Sequence, residues 1–128
     1  MIQKIVIILF TILAINSTLF GARNEVPESI ITSIKNGNSE ELSKHFNTTL
    51  ELTIEGKEQI YSNVQAELIL RKFFKENKPL KCQVLHQSGK DARYAIILIE
   101  TTSQKKFRLT LLIKQKEHKY LIHQLRID

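Results

Sequence analysis

Few residues in this chain could do chemistry: four histidines and one cysteine, with carboxylates and amines scattered over 128 residues. A general base needs an imidazole or carboxylate held by a partner, beside a space large enough for a substrate. The segment ARYAIILIETTS, Ala92–Ser103, and the segment Tyr120–Ile127 supply the best set. If the turn at Thr102–Lys105 is symmetrical, Tyr94, Ile96, Leu98 and Glu100 share an inner face with Phe107, Leu109, Leu111 and Ile113, and with Leu121, His123, Leu125 and Ile127. His123, Tyr94 and Glu100 are then the polar groups on that wall, a weak candidate catalytic trio. The competing assignment makes His123 and Tyr94 core residues with hydrogen-bonded tips and puts Glu100 at the exposed rim, since buried polar groups are normally satisfied without any functional role. It is the one preferred here.

Metal chemistry has less to work with. Cys82 and His86 are four residues apart. On a strand they share a face but stand ~13 Å apart at ~3.3 Å per residue, too far for one zinc with ~2 Å bonds. His118 and His123 fall on opposite faces of a strand, and His45 ends a helix, where a cation complements the dipole. A lone Cys82 reads as a small buried apolar group. There is no phosphate-cradling loop, no Ser–His–Asp ordering and no dinucleotide fingerprint. No metal, no cofactor and no catalytic set are therefore expected. The NTT triplet at Asn47 fits a glycosylation acceptor, a pattern too short to carry weight.

The elements that would position these residues can be read in order. Pro27 suits a helix start and Gly37 a C-terminal cap, with Ile30, Ile31 and Ile34 on one face between them. Asn38 with Glu41, and Ser62 with Gln65, have capping-box spacing. A short helix with Leu42 and Phe46 on its apolar edge follows the first box. The longest helix follows the second, with a stripe of Ala66, Ile69, Leu70 and Phe73, and Pro79 stops it. Between them, TTLELTIEG alternates as a strand and KEQIYS is a short return. Turn signals at Ser88–Asp91, Thr102–Lys105 and Lys116–Lys119 divide the rest into strands near Leu80–Gln87, Arg93–Thr101, Lys106–Gln115 and Tyr120–Ile127. Loops this short make them antiparallel neighbours. The expectation is an α+β domain, two short N-terminal helices and one long helix packed on a bent, mainly antiparallel sheet of four to six strands.

Residues 1–22 stand apart. Lys4 precedes the stretch Ile5–Ile15, apolar except for Thr11, and NSTLFGA follows. This is a secretory signal pattern, with Asn16, Ser17 and Thr18 interrupting it before the ~20 apolar residues of a membrane span. Residues 23–128 then form one exported domain, periplasmic or extracellular, beginning between Gly21 and Arg23 and keeping no stable membrane anchor. With a single cysteine it has no internal disulfide. Charge divides along the chain. Residues 23–70 carry 4 basic and 8 acidic groups, a net of −4; residues 71–128 carry 14 and 5, a net of +9. A basic layer favours an acidic protein or an anionic glycan as partner, while a lack of interleaved aromatic and basic residues argues against nucleic acid.

The segments QAELILRKFFKEN, VLHQ, ARYAI and FRLTLLIKQKEHKYLIHQLRID resemble a family of small exported bacterial proteins of unknown function. The tyrosine at Tyr94 and the terminal strand Lys119–Ile127 are part of that resemblance. It implies a cystatin-like, nuclear-transport-factor-two-like fold, a bent sheet wrapped around a long helix, and it carries over no catalytic residues. Fold does not settle function: the superfold hosts isomerases and cyclases with a site inside the cone as well as binding modules. The apolar run Ala95–Ile99 asks what covers its second face. Symmetrical turns place Ala95, Ile97, Ile99, Leu112, Tyr120 and Ile122 on the outer face, with Arg93, Lys106, Arg108, Lys114 and Arg126 as a basic rim. An apolar centre with a charged rim is an interface pattern. The function expected is thus an exported, non-enzymatic binding or scaffold protein, possible as a homodimer through the sheet.

Overall fold

A computed structural model describes residues 26–128. The leader expected at residues 1–22 lies outside the described residues. Among those described, no helix is long and apolar enough to cross a membrane.

Helix α1 spans Glu28–Lys35 behind Pro27. It ends where Gly37 takes φ +62°; a Cβ there would also come within 2.9 Å of Pro79 Cδ. Helix α2, Ser39–Ser43, begins with Asn38 Oδ1 accepting from the Glu41 N–H. The long helix α3, Asn63–Glu76, opens with a full capping box between Ser62 and Gln65. Its buried stripe is Ala66, Leu70, Phe73 and Phe74, with Ile69 only partly buried and Glu67 unexpectedly buried.

Six strands form one sheet: β1 Phe46–Ile54, β2 Lys57–Ser62, β3 Pro79–Gly89, β4 Ala92–Thr101, β5 Lys106–Lys116 and β6 Lys119–Ile127. Their order is β2-β1-β6-β5-β4-β3. All pairs are antiparallel except β1 with β6, where the last strand returns parallel to the first. Two-residue turns close two hairpins. Glu55–Gly56 (φ 53° and 78°) joins β1 to β2 and Glu117–His118 (φ 50° and 65°) joins β5 to β6. Positive φ at both central residues matches the twist of a tight hairpin.

The register differs from the symmetrical-turn expectation. Thr101 pairs with Lys105 through Thr101 N–H to Lys105 O at 2.8 Å, leaving a three-residue loop whose last member, Gln104, has φ 66°. Ile99 therefore opposes Phe107, Ile97 opposes Leu109 and Ala95 opposes Leu111. A slip of one residue turns every side chain of a strand to the other face. Ala95, Ile97 and Ile99 are accordingly fully buried against the helices rather than on the outer face. On β5 the inner assignment of Leu109, Leu111 and Ile113 holds, and Phe107 meets Phe73 edge-on at 5.1 Å. On β6 a bulge lies between the pairs Leu112↔Gln124 and Ile113↔Ile122. Leu125 and Ile127 face inward as expected, but beyond the bulge Ile122 and Tyr120 face inward too, and Leu121 is turned out opposite Lys114. The concavity is filled by Ile30, Ile34, Leu42, Leu50, Leu52 and Leu70 against these strands.

Candidate functional site

The candidate trio disperses. Tyr94 opposes Leu112 on the outer face and is 49% exposed. Glu100 opposes Lys106 on that same face, six residues and ~20 Å along the strand. His123 is the extra residue of the β6 bulge. None of these three is brought to another, so no acid–base pair forms among them. Cys82 and His86 also part company. A bulge between Val84 and His86 leaves Cys82 opposite Ile99 on the inner side and sends His86 opposite Ile96 on the outer. Cys82 packs against the core, and burial pushes its thiol up despite the nearby Lys35 charge.

His123 lies at a seam with unusual chemistry. The β1–β6 pairing jumps from Phe46↔Ile122 to Glu51↔Gln124, so β1 carries excess residues where β6 carries only His123. His123 Nε2 and Asn47 Oδ1 are both buried there without a hydrogen-bond partner. Burial pushes the His123 imidazole below its ordinary value, with Lys114 and Lys116 acting in the same sense. The Asn47 amide nitrogen donates to Thr49 O at 3.3 Å, a contact within β1 itself. The neutral His123 is an acceptor or donor inside a bulge, with no carboxylate hydrogen-bonded to it.

Of the six residues expected at the outer apolar centre, only Leu112 is there. Tyr120 packs inward beneath Arg93, whose guanidinium lies 3.9 Å from the ring centroid and donates from Nη2 to the Tyr120 hydroxyl at 2.8 Å. Arg93 therefore leaves the rim, while Lys106, Arg108, Lys114 and Arg126 stand on the outer face as expected. The register nevertheless assembles a different apolar strip on that face: Tyr94, Ile96 and Leu98 on β4, Leu112 on β5 and Leu121 on β6. Ile96, Leu98 and Leu121 remain half-exposed in the single chain.

Charge is ordered across the outer face. Glu58 on β2 and Glu51 on β1 form one flank, where the Glu51 carboxylate accepts from Gln124 Nε2 at 3.1 Å. A hydrogen bond with Glu51, and that group's charge, push the exposed Glu58 carboxyl up. On the other flank stand Arg108 and Lys114 on β5 and Lys81 on β3, with Glu100 in register between Lys81 and Lys106.

One long capped helix and two short ones, lying in the hollow of a bent six-stranded sheet, define an NTF2-like α+β fold. An NTF2-like protein of unknown function from Silicibacter pomeroyi has that architecture at 14% identity, with TM-score 0.56 over 79% of this chain and 87% of its own. The chain belongs to the DUF4783 family, a domain of unknown function, whose model matches residues 27–128. Crystal structures of two members are similar to it. The protein from Bacteroides ovatus is 33% identical, with TM-score 0.78 over 83% of this chain and 96% of that one. The protein from Bacteroides fragilis is 30% identical, with TM-score 0.77 over 81% and 98%. No curated protein matches the chain.

Proposed function

We propose that this protein is an exported, non-enzymatic binding or scaffold domain that pairs with a second copy of itself through the outer face of the sheet. The observation that carries the proposal is the strip Tyr94, Ile96, Leu98, Leu112 and Leu121 on the side of the sheet away from the helices. An apolar patch of this kind on one chain marks an interaction surface. Size is adequate: six strands at ~4.8 Å spacing and about nine residues of ~3.3 Å each give a face near the ~800 Å² that each partner of a stable complex buries. Charge is the opposing factor: Lys106, Arg108, Lys114 and Arg126 stand on the same face, so burial of the strip has to outweigh the repulsion of like charges across a two-fold axis. Export rests on the pattern in residues 1–22. An isomerase or cyclase inside the cone has less support, because the large side chains facing that space are fully buried aliphatics.

Sedimentation equilibrium tests the pairing. The wild type is expected to dimerise at micromolar concentration, and Ile96→Glu with Leu98→Glu to be a folded monomer. Four aliphatic side chains lost per dimer, at ~1.5 kcal/mol or more each, weaken it by ~10⁴-fold. A wild type that stays monomeric at high micromolar concentration defeats the dimer. If such a monomer captures an acidic protein or an anionic glycan through the same strip, that partner replaces the second copy.

A further inference from the structure

A second surface lies in the helical layer, where the turn between α1 and α2 meets the start of β3. A cavity of about 350 Å³ opens there, within the ~300–1,000 Å³ range of ligand sites. Two buried side chains, Phe74 near the end of α3 and Pro79 on β3, give it an apolar floor. Three exposed cations border it: Arg71 and Lys75, one turn apart on α3, and Lys78 just beyond that helix. Among the described residues no carboxylate lines it. Arg71 already pairs with Glu67, whereas Lys75 and Lys78 are in no ion pair with any described residue. Ser39, the first residue of α2, also borders the cavity and is only 6% exposed. Its hydroxyl keeps some open surface yet has no hydrogen-bond partner among the described residues.

A largely buried hydroxyl normally makes a hydrogen bond, so one that is open at a cavity wall and unmatched calls for a ligand atom there. The two lysines call for negative charge at the same place. With Arg71 offset by Glu67, about two positive charges remain, and a phosphate monoester brings ~−1.5 to −2 near pH 7 with three strong acceptor oxygens. A carboxylate brings a single charge on two oxygens. A neutral sugar leaves both ammonium groups unmatched, and inorganic phosphate makes no use of Phe74 and Pro79. We infer that this cavity binds a phosphate monoester. The phosphate accepts from Lys75, Lys78 and the Ser39 hydroxyl, and the carbon skeleton of the ester lies on Phe74 and Pro79.

The probe is phenyl phosphate titrated into the ¹⁵N-labelled protein at neutral pH and low salt. Saturable shifts of the Gly37, Ser39 and Lys75 amides are expected at millimolar ester or below, the range open to a ligand of this size, and added salt should weaken the binding. Lys75→Gln with Lys78→Gln is expected to weaken it about tenfold. Ser39→Ala, which keeps a good helix former at that position, is expected to weaken it about threefold or more. Both proteins should keep the wild-type far-ultraviolet circular dichroism spectrum. Benzoate and inorganic phosphate are each expected to bind several-fold more weakly than the ester. Failure of the cavity amides to saturate overturns the inference. So do equal affinity for benzoate or inorganic phosphate, an unchanged affinity in Ser39→Ala, or shifts centred on Lys106 and Arg108 of the outer face. Neither cavity variant is expected to alter sedimentation, so this outcome stands apart from that of the dimer.

Discussion

Ile97 and Leu98 are adjacent in sequence and face opposite sides of β4, so a carboxylate placed at each tests the register directly. Ile97 opposes Leu109 and is 0% exposed; Leu98 opposes Arg108 on the outer face. Ile97→Glu forfeits ~1.5–3 kcal/mol of aliphatic burial. It also sets a carboxyl among apolar side chains, where its pKa rises by up to ~3–5 units; near pH 7 the buried group then stays protonated, which costs ~1.4 kcal/mol per unit between ~4.3 and 7, about 4 kcal/mol. The total, ~5–7 kcal/mol, is a large share of the ~5–15 kcal/mol that holds a domain of this size together. Leu98→Glu changes a half-exposed position and is expected to cost about 1 kcal/mol or less in the single chain. Urea melts followed by circular dichroism at low protein concentration measure both. At neutral pH Ile97→Glu should be unfolded or badly destabilised and Leu98→Glu near wild type. The sign with pH is fixed. A carboxyl whose folded pKa is raised is disfavoured most when ionised, so the Ile97→Glu penalty shrinks as pH falls toward ~4.3, the unfolded value. If Leu98→Glu proves the more damaging, β4 is registered one residue away from the pairing described, and the outer strip with it.

Two further outcomes follow from the same geometry. The His123 imidazole is held below its ordinary value by burial and by Lys114 and Lys116, and His45 is lowered mainly by burial. Both contribute stability that is present above ~6.5 and is lost as pH falls through the folded value, because the unfolded chain takes up the proton first. Melts at stepped pH should show that decline in the wild type and a shallower one in His123→Gln, which should keep its fold at neutral pH; an unchanged slope would place the titration elsewhere. Gly89 has φ 102°, and a Cβ there would fall 2.0 Å from the Ala92 carbonyl oxygen. Gly89→Ala must therefore open the β3–β4 hairpin at a cost of ~1–3 kcal/mol, read as a lowered urea midpoint; a neutral result would mean that the hairpin is looser than drawn.

Much of the scaffold was legible in local signals. Pro27, Gly37, Asn38 and the Ser62–Gln65 box mark helix ends because each answers a specific backbone need, and those needs do not depend on the rest of the fold. Strand positions followed from alternation and from the turn residues between them. Which face each strand presents did not follow, because that depends on whether a loop has an odd or an even number of residues. Thr102–Gln104 closes with Gln104 in the left-handed region and Glu117–His118 closes with both residues there. Neither has the glycine that ordinarily advertises such a turn. Glu67 was hidden for a related reason. A glutamate on a helix reads as solvated, and only the packing of α2 against α3 covers it.

A stronger signal was present in the spacing of apolar residues. On β6 the inward set is Tyr120, Ile122, Leu125 and Ile127, with one gap of three among gaps of two. A strand of strict period two cannot place all four on one face; an extra residue between Ile122 and Leu125 is required, and His123 falls there. The same count applies on β3, where Val84 and Gln87 lie on one face across a gap of three and the pairing slips between Val84 and His86. A bulge bends its strand and sharpens the local twist, so these two slips put curvature where the sheet must wrap α3. The seam at β1 and β6 is then a structural joint first. Its cost is visible in the unpartnered Nε2 of His123 and Oδ1 of Asn47. The lowered pKa of His123 follows from burial at that joint and from two lysines, and needs no catalytic partner to explain it.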